Sequence, residues 1–228
     1  MTNASTMSLA PALIASIAAA APVVSTYDDL AEAFYGQTWT YDGITYHDVN
    51  THGGVFPNRD MFTADDPGSE IIVENATLFY NEFPAWGSAT NALTFGRAFI
   101  TGDNLSLGAL VSVTMDLPDV ADAASVDVAY YENGPWIGIQ YHLDAYRNGA
   151  LVASDGFTIG GTDPNGRDNI ALNALSVGGA EFDQLVLYAT FGNDYSAPRI
   201  IMDDLSVNYI PAPGVALAFL GLARRRRR

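Results

Sequence analysis

In Ile201-Met202-Asp203-Asp204-Leu205-Ser206-Val207, strand alternation puts Asp203 on the face it shares with Ile201, Leu205, Val207 and Tyr209. That is an apolar face. An unpaired carboxylate there costs several kcal/mol, so Asp203 needs a cation or strong hydrogen bonds. Asp28 and Asp29 offer further carboxylates near the start of the domain. Hard oxygen ligands of this kind favour Ca²⁺. A structural Ca²⁺ on Asp28, Asp29 and Asp203 would tie the two ends of the domain together. A second reading stays open, in which Asp203 caps a strand end and faces water.

A glycan site asks for different residues: exposed aromatic rings to stack on sugar faces, beside planar amides and carboxylates to meet hydroxyls. The richest such cluster is Tyr131, Trp136, Gln140, His142, Asp144 and Tyr146, which strand parity places mostly on an outer face. Phe83, Pro84 and Trp86, in an expected loop, add a candidate platform. The alternative is that Tyr131 and Trp136 cover a turn and the polar stripe meets solvent. Catalytic signatures are thin: there is no G-x-S-x-G, H-E-x-x-H or P-loop. His47 and His52 lack an obvious third zinc ligand. Tyr141-His142 with Arg147 imitates a lyase constellation without being specific to one. The loop Asp163 to Asp168 departs from the EF-hand pattern and reads as a turn, as does Asp65-Asp66-Pro67-Gly68.

The elements that must position these residues read as strands. Val111, Val113, Met115 and Leu117 alternate with polar neighbours, and so do Val126 and Val128, Ile137 to Leu143, and Leu185 to Phe191. Asn148-Gly149, between two such runs, is a two-residue hairpin signal, since both positions tolerate positive φ. Asp28–Phe34 reads as a helical turn or a first strand, and Ala171–Ala174 as a brief turn. No long amphipathic helix and no internal repeat is present. The expected fold is all-β: an antiparallel two-sheet β-sandwich of jelly-roll type over residues 26–209, with Val111, Val113, Met115, Val128, Ile137, Ile139, Leu187 and Val207 in its core. First and last strands commonly lie together in such folds, which is what would bring Asp28 and Asp29 towards Asp203.

Composition sets the partners. The 228 residues carry a net charge of −16, and 49% are apolar, enough for one sizeable core. There is no Lys and no Cys, which excludes a disulfide scaffold, thiol catalysis and Cys-rich zinc modules. So acidic a chain repels phosphate backbones, and nucleic acid is excluded as an expected partner. Five of the ten basic residues are the terminal Arg224, Arg225, Arg226, Arg227 and Arg228. At the other end, the apolar, Ala-rich Leu9–Ala21 has the length of a signal-peptide h-region, spanning about 20 Å as a helix. Val23-Val24-Ser25 places small residues for cleavage after Ser25, so residues 1–25 are expected to be a signal peptide with a short helix. Its n-region lacks Lys and Arg, and a buried N-terminal helix is the other reading.

After the last strand come Ile210-Pro211-Ala212-Pro213-Gly214, the apolar Val215–Ala223 and the Arg cluster. This order resembles the PEP-CTERM sorting signal of exported bacterial proteins, with Pro211, Pro213, Gly214 and the five Arg as the matching residues over 210–228. Two features depart from that family: Pro-Ala-Pro-Gly replaces Pro-Glu-Pro, and the apolar run gives only about 14 Å of helix. The resemblance implies an exosortase-type transpeptidase as partner, transient membrane contact through the tail, and a destination at the cell surface or in the extracellular matrix. The body resembles, more loosely, the jelly-roll domains that precede such signals and are similar to carbohydrate-binding modules, through Tyr27–Leu30, Thr90–Leu93 and Ile201–Val207. That implies exopolysaccharide binding without catalysis, and agrees with a structural Ca²⁺ near the termini. A polysaccharide lyase or glycoside hydrolase on the same fold, and a purely structural surface protein, are the alternatives.

Overall fold

The structure, a computed structural model, describes residues 21–49, 71–95, 111–130, 138–160, 171–190 and 200–211. Eleven strands and one helix follow in order: β1 (Val23–Ser25), β2 (Ala33–Gly36), β3 (Trp39–Tyr41), β4 (Ile44–His47), β5 (Ile71–Asn75), α1 (Thr77–Glu82), β6 (Asn91–Phe95), β7 (Val111–Tyr130), β8 (Gln140–Arg147), β9 (Ala150–Thr158), β10 (Ala171–Thr190) and β11 (Ile200–Tyr209). Every ladder is antiparallel. The all-β expectation holds.

Two strands of 20 residues, β7 and β10, serve both layers of the sandwich. The first part of β7 pairs with β4, and the last part of β10 pairs with β8, giving a layer β3-β4-β7-β10-β8-β9. The remainder of β7 pairs with β11, giving a layer β2-β5-β6-β11-β7-β10 with β1 beside β11. The passage from one layer to the other is marked by register shifts on either side of Phe182, opposite the stretch Asp116–Ala121. Bulges bend a strand and strengthen its twist, which is how one ladder turns a sandwich corner.

The core fills the space between the layers. Val113, Met115, Tyr141, Leu143, Leu185 and Leu187 from the first layer meet Val73, Leu93, Val128, Met202, Leu205 and Val207 from the second, all fully buried. Burial of each such side chain contributes about 1.5–3 kcal/mol. Of the expected core residues, Val113, Met115, Val128, Ile139, Leu187 and Val207 are buried. Ile137 and the side chain of Val111 lie outside the described residues. Asn148 (φ 50°) and Gly149 (φ 77°) form the β8–β9 hairpin turn with both residues at positive φ, as expected.

One expectation needs correction, one open reading resolves, and one element is new. Ala171–Ala174 opens β10 rather than forming a turn, because its backbone pairs with Asp127–Tyr130 of β7. Asp28–Phe34 contains a turn followed by β2, with no helix. A six-residue helix, α1, was not anticipated; it is too short to show an amphipathic period and is held by tertiary packing.

The expected cleavage position meets a structural consequence. Val23–Ser25 pair with Leu205–Val207, and the Ser25 hydroxyl donates to Asp42 Oδ2 at 2.7 Å. A chain beginning at Thr26 therefore loses a strand that one beginning at Ala21 keeps. The shorter chain should melt several degrees lower, for a loss of about 1–2 kcal/mol. Equal melting temperatures by calorimetry would show that β1 adds nothing.

Candidate functional site

Two polar clusters stand out, one on each layer. The first lies on the outer face of β8, β9 and β10. On β8, Tyr141, Leu143 and Ala145 are buried in the core, so Gln140, His142, Asp144 and Tyr146 point outward, as parity predicted. Register sets Thr158, Gly156 and Ser154 of β9 opposite Gln140, His142 and Asp144. On the other side, β10 places Tyr188 opposite His142. The His142 ring stacks on Tyr188, with centroids 4.9 Å apart and planes 17° from parallel. A Cβ on Gly156 would come within 2.8 Å of His142 Nδ1, so the missing side chain makes room for the imidazole. Gln140, His142, Ser154, Asp155, Gly156 and Thr158 line a shallow cleft of about 380 Å³.

Asp144 faces outward yet is only 6% exposed. Its Oδ1 accepts from the Ser154 hydroxyl at 2.5 Å, and its Oδ2 accepts from the Tyr188 and Tyr146 hydroxyls at 3.1 and 3.4 Å. Burial, followed by the Asp144 charge, pushes the Tyr188 phenol up to about 12, and the same causes raise Tyr146. Both are therefore proton donors, not bases, at neutral pH. The lyase constellation does not assemble: Tyr141 points into the core, away from His142, and Arg147 is paired with Asp183 at 2.5 Å. His47 lies between two carboxylates, Asp48 and Asp116, each at 3.0 Å, while His52 is outside the described residues.

The second cluster surrounds Asp203. The register between β11 and β7 skips a residue between Asp203 and Ser206, and Asp204 takes a φ of 47°. This bulge reverses parity. Asp203 shares its face with Ile201, whereas Leu205 and Val207 face the main core; the expectation that all four share one face is corrected accordingly. Ile201 belongs to a smaller apolar cluster under α1 with Phe79, Tyr80, Trp86 and Ala129. Asp203 is completely buried beside it, with its Oδ2 accepting from Tyr80 Oη (2.7 Å) and the Ser88 amide (2.9 Å), and its Oδ1 from the Asp204 amide (2.8 Å). Gly87 must be glycine here, since a Cβ would come within 2.6 Å of Asp203 Oδ2 and φ is +57°.

Trp86 also departs from expectation. It is 4% exposed and stacks on Tyr80 at 5.1 Å, so it roofs this second cluster and offers no ring to a ligand. Of the expected cation ligands, Asp28 approaches this region and accepts from the Asn91 amide at 2.9 Å. Asp29 instead accepts from Tyr41 Oη at 2.6 Å. Among the described residues no three acidic or histidine side chains converge as metal ligands. Tyr131, Trp136, Pro213, Gly214 and Arg224–Arg228 lie outside the described residues; Pro211 ends them, exposed.

No protein-family model matches the chain, nor does any curated protein. Among solved structures it is similar to the K1 cleaved adhesin domain of Lys-gingipain from Porphyromonas gingivalis W83, with a TM-score of 0.44, 10% identity and coverage of 84% of this chain and 99% of that one. The K2 cleaved adhesin domain of Lys-gingipain gives a TM-score of 0.43 at 12% identity, over 83% and 98% of the two chains. TmCBM61 in complex with β-1,4-galactotriose gives 0.32 at 14% identity, over 61% and 82%.

Burial holds Asp203 up at about 7, against the opposing pull of its hydrogen bonds from Tyr80, Asp204 and Ser88, while the charge of Asp204 adds to the rise. An unfolded Asp titrates near 3.9. The folded state therefore binds the extra proton between those values. Its stabilisation is complete below about pH 4, declines as pH rises towards about 7, and is gone above that. The urea-unfolding free energy of the wild type should fall over this window by roughly 2–4 kcal/mol more than that of Asp203→Asn. Parallel pH profiles would refute the assignment.

Proposed function

We propose that this is an exported surface or matrix protein whose β-sandwich binds an exopolysaccharide in the β8–β9 cleft without turning it over. The observation that carries the reading is the His142 ring, stacked on Tyr188 and seated over Gly156 where a side chain would stand, with Gln140, Ser154 and Thr158 lining the same cleft. A sugar ring fits such a place through its apolar face against the imidazole, with its hydroxyls meeting the amide and the two hydroxyls. The cleft is shallow and solvent-open, which suits a polymer bound along its length. The geometry lends no support to the lyase set, because Tyr141 lies in the core and Arg147 is engaged by Asp183. Titration calorimetry against a panel of polysaccharide fragments tests this. His142→Ala should weaken binding about tenfold or more and leave the melting temperature within a few degrees. Product release from any fragment would instead favour the hydrolase or lyase alternative.

Export and sorting rest on the chain ends. Arg224–Arg228 follow an apolar run in an otherwise acidic chain, and a sandwich has no use for that arrangement. Five Arg beside an anionic leaflet contribute about 1 kcal/mol each, which partly offsets a segment too short to anchor the protein permanently. Replacing all five by Ser should redirect the protein while the domain melts unchanged. The same compartment with the same mature mass would remove the exosortase reading. The proposed structural cation would sit on Asp203 with Asp28 or Asp29, and millimolar Ca²⁺ should then raise the melting temperature.

A further inference from the structure

The cleft also has a polarity, and it follows from Asp144. A hydroxyl carries one proton, and once that proton is given away only lone pairs remain to face a ligand. Ser154, Tyr188 and Tyr146 all direct their protons at the Asp144 carboxylate. Their outward sides are therefore acceptors. Asp155 stands opposite core-facing Leu143 and accepts from the Gly156 and Ser176 amides, so its carboxylate belongs to the inner side of β9 and leaves the outer face to the Asp144 array. The chain has no Lys, no Arg lines the cleft among the described residues, and Arg147, the single Arg among them, is committed to Asp183.

Such a surface asks for donors and positive charge. A uronate or sulfate would bring more acceptors and more negative charge to it. A neutral hydroxyl brings one proton and two lone pairs. A primary ammonium brings three N–H donors and no acceptor, and charge-assisted bonds to oxygen are about twice as strong as neutral ones. Resting on the glycan-binding reading above, we infer that the ligand is a hexosamine polymer with free amines, a de-N-acetylated amino-sugar glycan. Its ammonium groups meet the Ser154–Asp144–Tyr188 array, while the ring lies against His142.

The test measures the full chain by calorimetry against three probes of matched length: chitosan oligosaccharides, the same oligosaccharides re-N-acetylated, and oligogalacturonates. The free-amine probe should bind about tenfold tighter than its acetylated form, and the uronate should show no binding. Asp144→Asn, with folding checked by its melting temperature, should erase the difference between the first two probes. Asp119→Asn, an exposed acid changed by the same charge, should leave it intact. If Asp144→Asn does not fold, the re-acetylated probe decides alone. Equal or tighter binding of the acetylated or uronate probe, lost in His142→Ala, would overturn the ligand class and keep the binding site. An equal loss in Asp119→Asn would reduce the preference to general attraction between polycation and acidic protein. No binding of any probe would overturn both.

Discussion

The ladder between β7 and β10 is the interaction on which the rest of the structure depends. Each strand runs for 20 residues, and together they carry hydrogen bonds through both layers of the sandwich. Remove that ladder and β8, which is anchored to the sheet through Gln184–Thr190, has nothing to support it on its inner side. β11 likewise takes its register from Ala121–Ala129 of β7. Both polar clusters therefore hang from one element: the His142 cleft from the end of β10, and the Asp203 cluster from the second half of β7. A bend at Phe182 would shift one relative to the other.

Periodicity made the regular strands readable, and local irregularity concealed the rest. Gln140, His142 and Asp144 could be placed on an outer face because β8 has no register shift before Ala145. That Asp144 is buried could not be read, since the ring that covers it, Tyr188, arrives from 44 residues away. Asp203 was legible as a buried carboxylate but not as a neighbour of Tyr80, because the bulge at Asp204 reverses parity just after it. A non-glycine residue at positive φ was the missing information, and an Asp-Asp pair is a weak sign of one. Trp86 failed for another reason. An aromatic in a loop looks like a platform until a second apolar cluster is known to lie beneath it, and that cluster draws Ala92, Ala129 and Ile201 from three strands.

The two clusters solve the same difficulty differently. A carboxylate out of water needs donors, and with Arg147 engaged by Asp183 the described part of the chain has no further guanidinium to offer. Asp144 is supplied by three hydroxyls and sits at the cleft's edge, where solvent and ligand can reach the outer lone pairs of those same groups. Asp203 is supplied by one phenol and two amides, with Asp204 adding repulsion. Hydroxyls can rotate, so the Asp144 network can redistribute protons when a ligand arrives. The amides of Ser88 and Asp204 cannot, so the Asp203 cluster is held more by fixed donors, and burial raises its affinity for a proton.

This difference matches the positions of the clusters. An adaptable array suits a solvent-facing edge. A fixed one suits a joint. Tyr80 on α1 and Ser88 in the loop after it both meet Asp203 on β11, so one side chain fastens that helix and loop to a strand remote in sequence. Apolar packing alone could press these segments together, but it would not fix the direction of the loop. The amides of Gly87 and Ser88 do, because each must find its own acceptor, Asp127 Oδ2 for the first and Asp203 Oδ2 for the second. A buried acid is costly in stability and useful in specifying that direction, and replacing it with an apolar residue of similar size would take from the Ser88 amide its acceptor, while the Tyr80 hydroxyl would keep the Asn91 carbonyl.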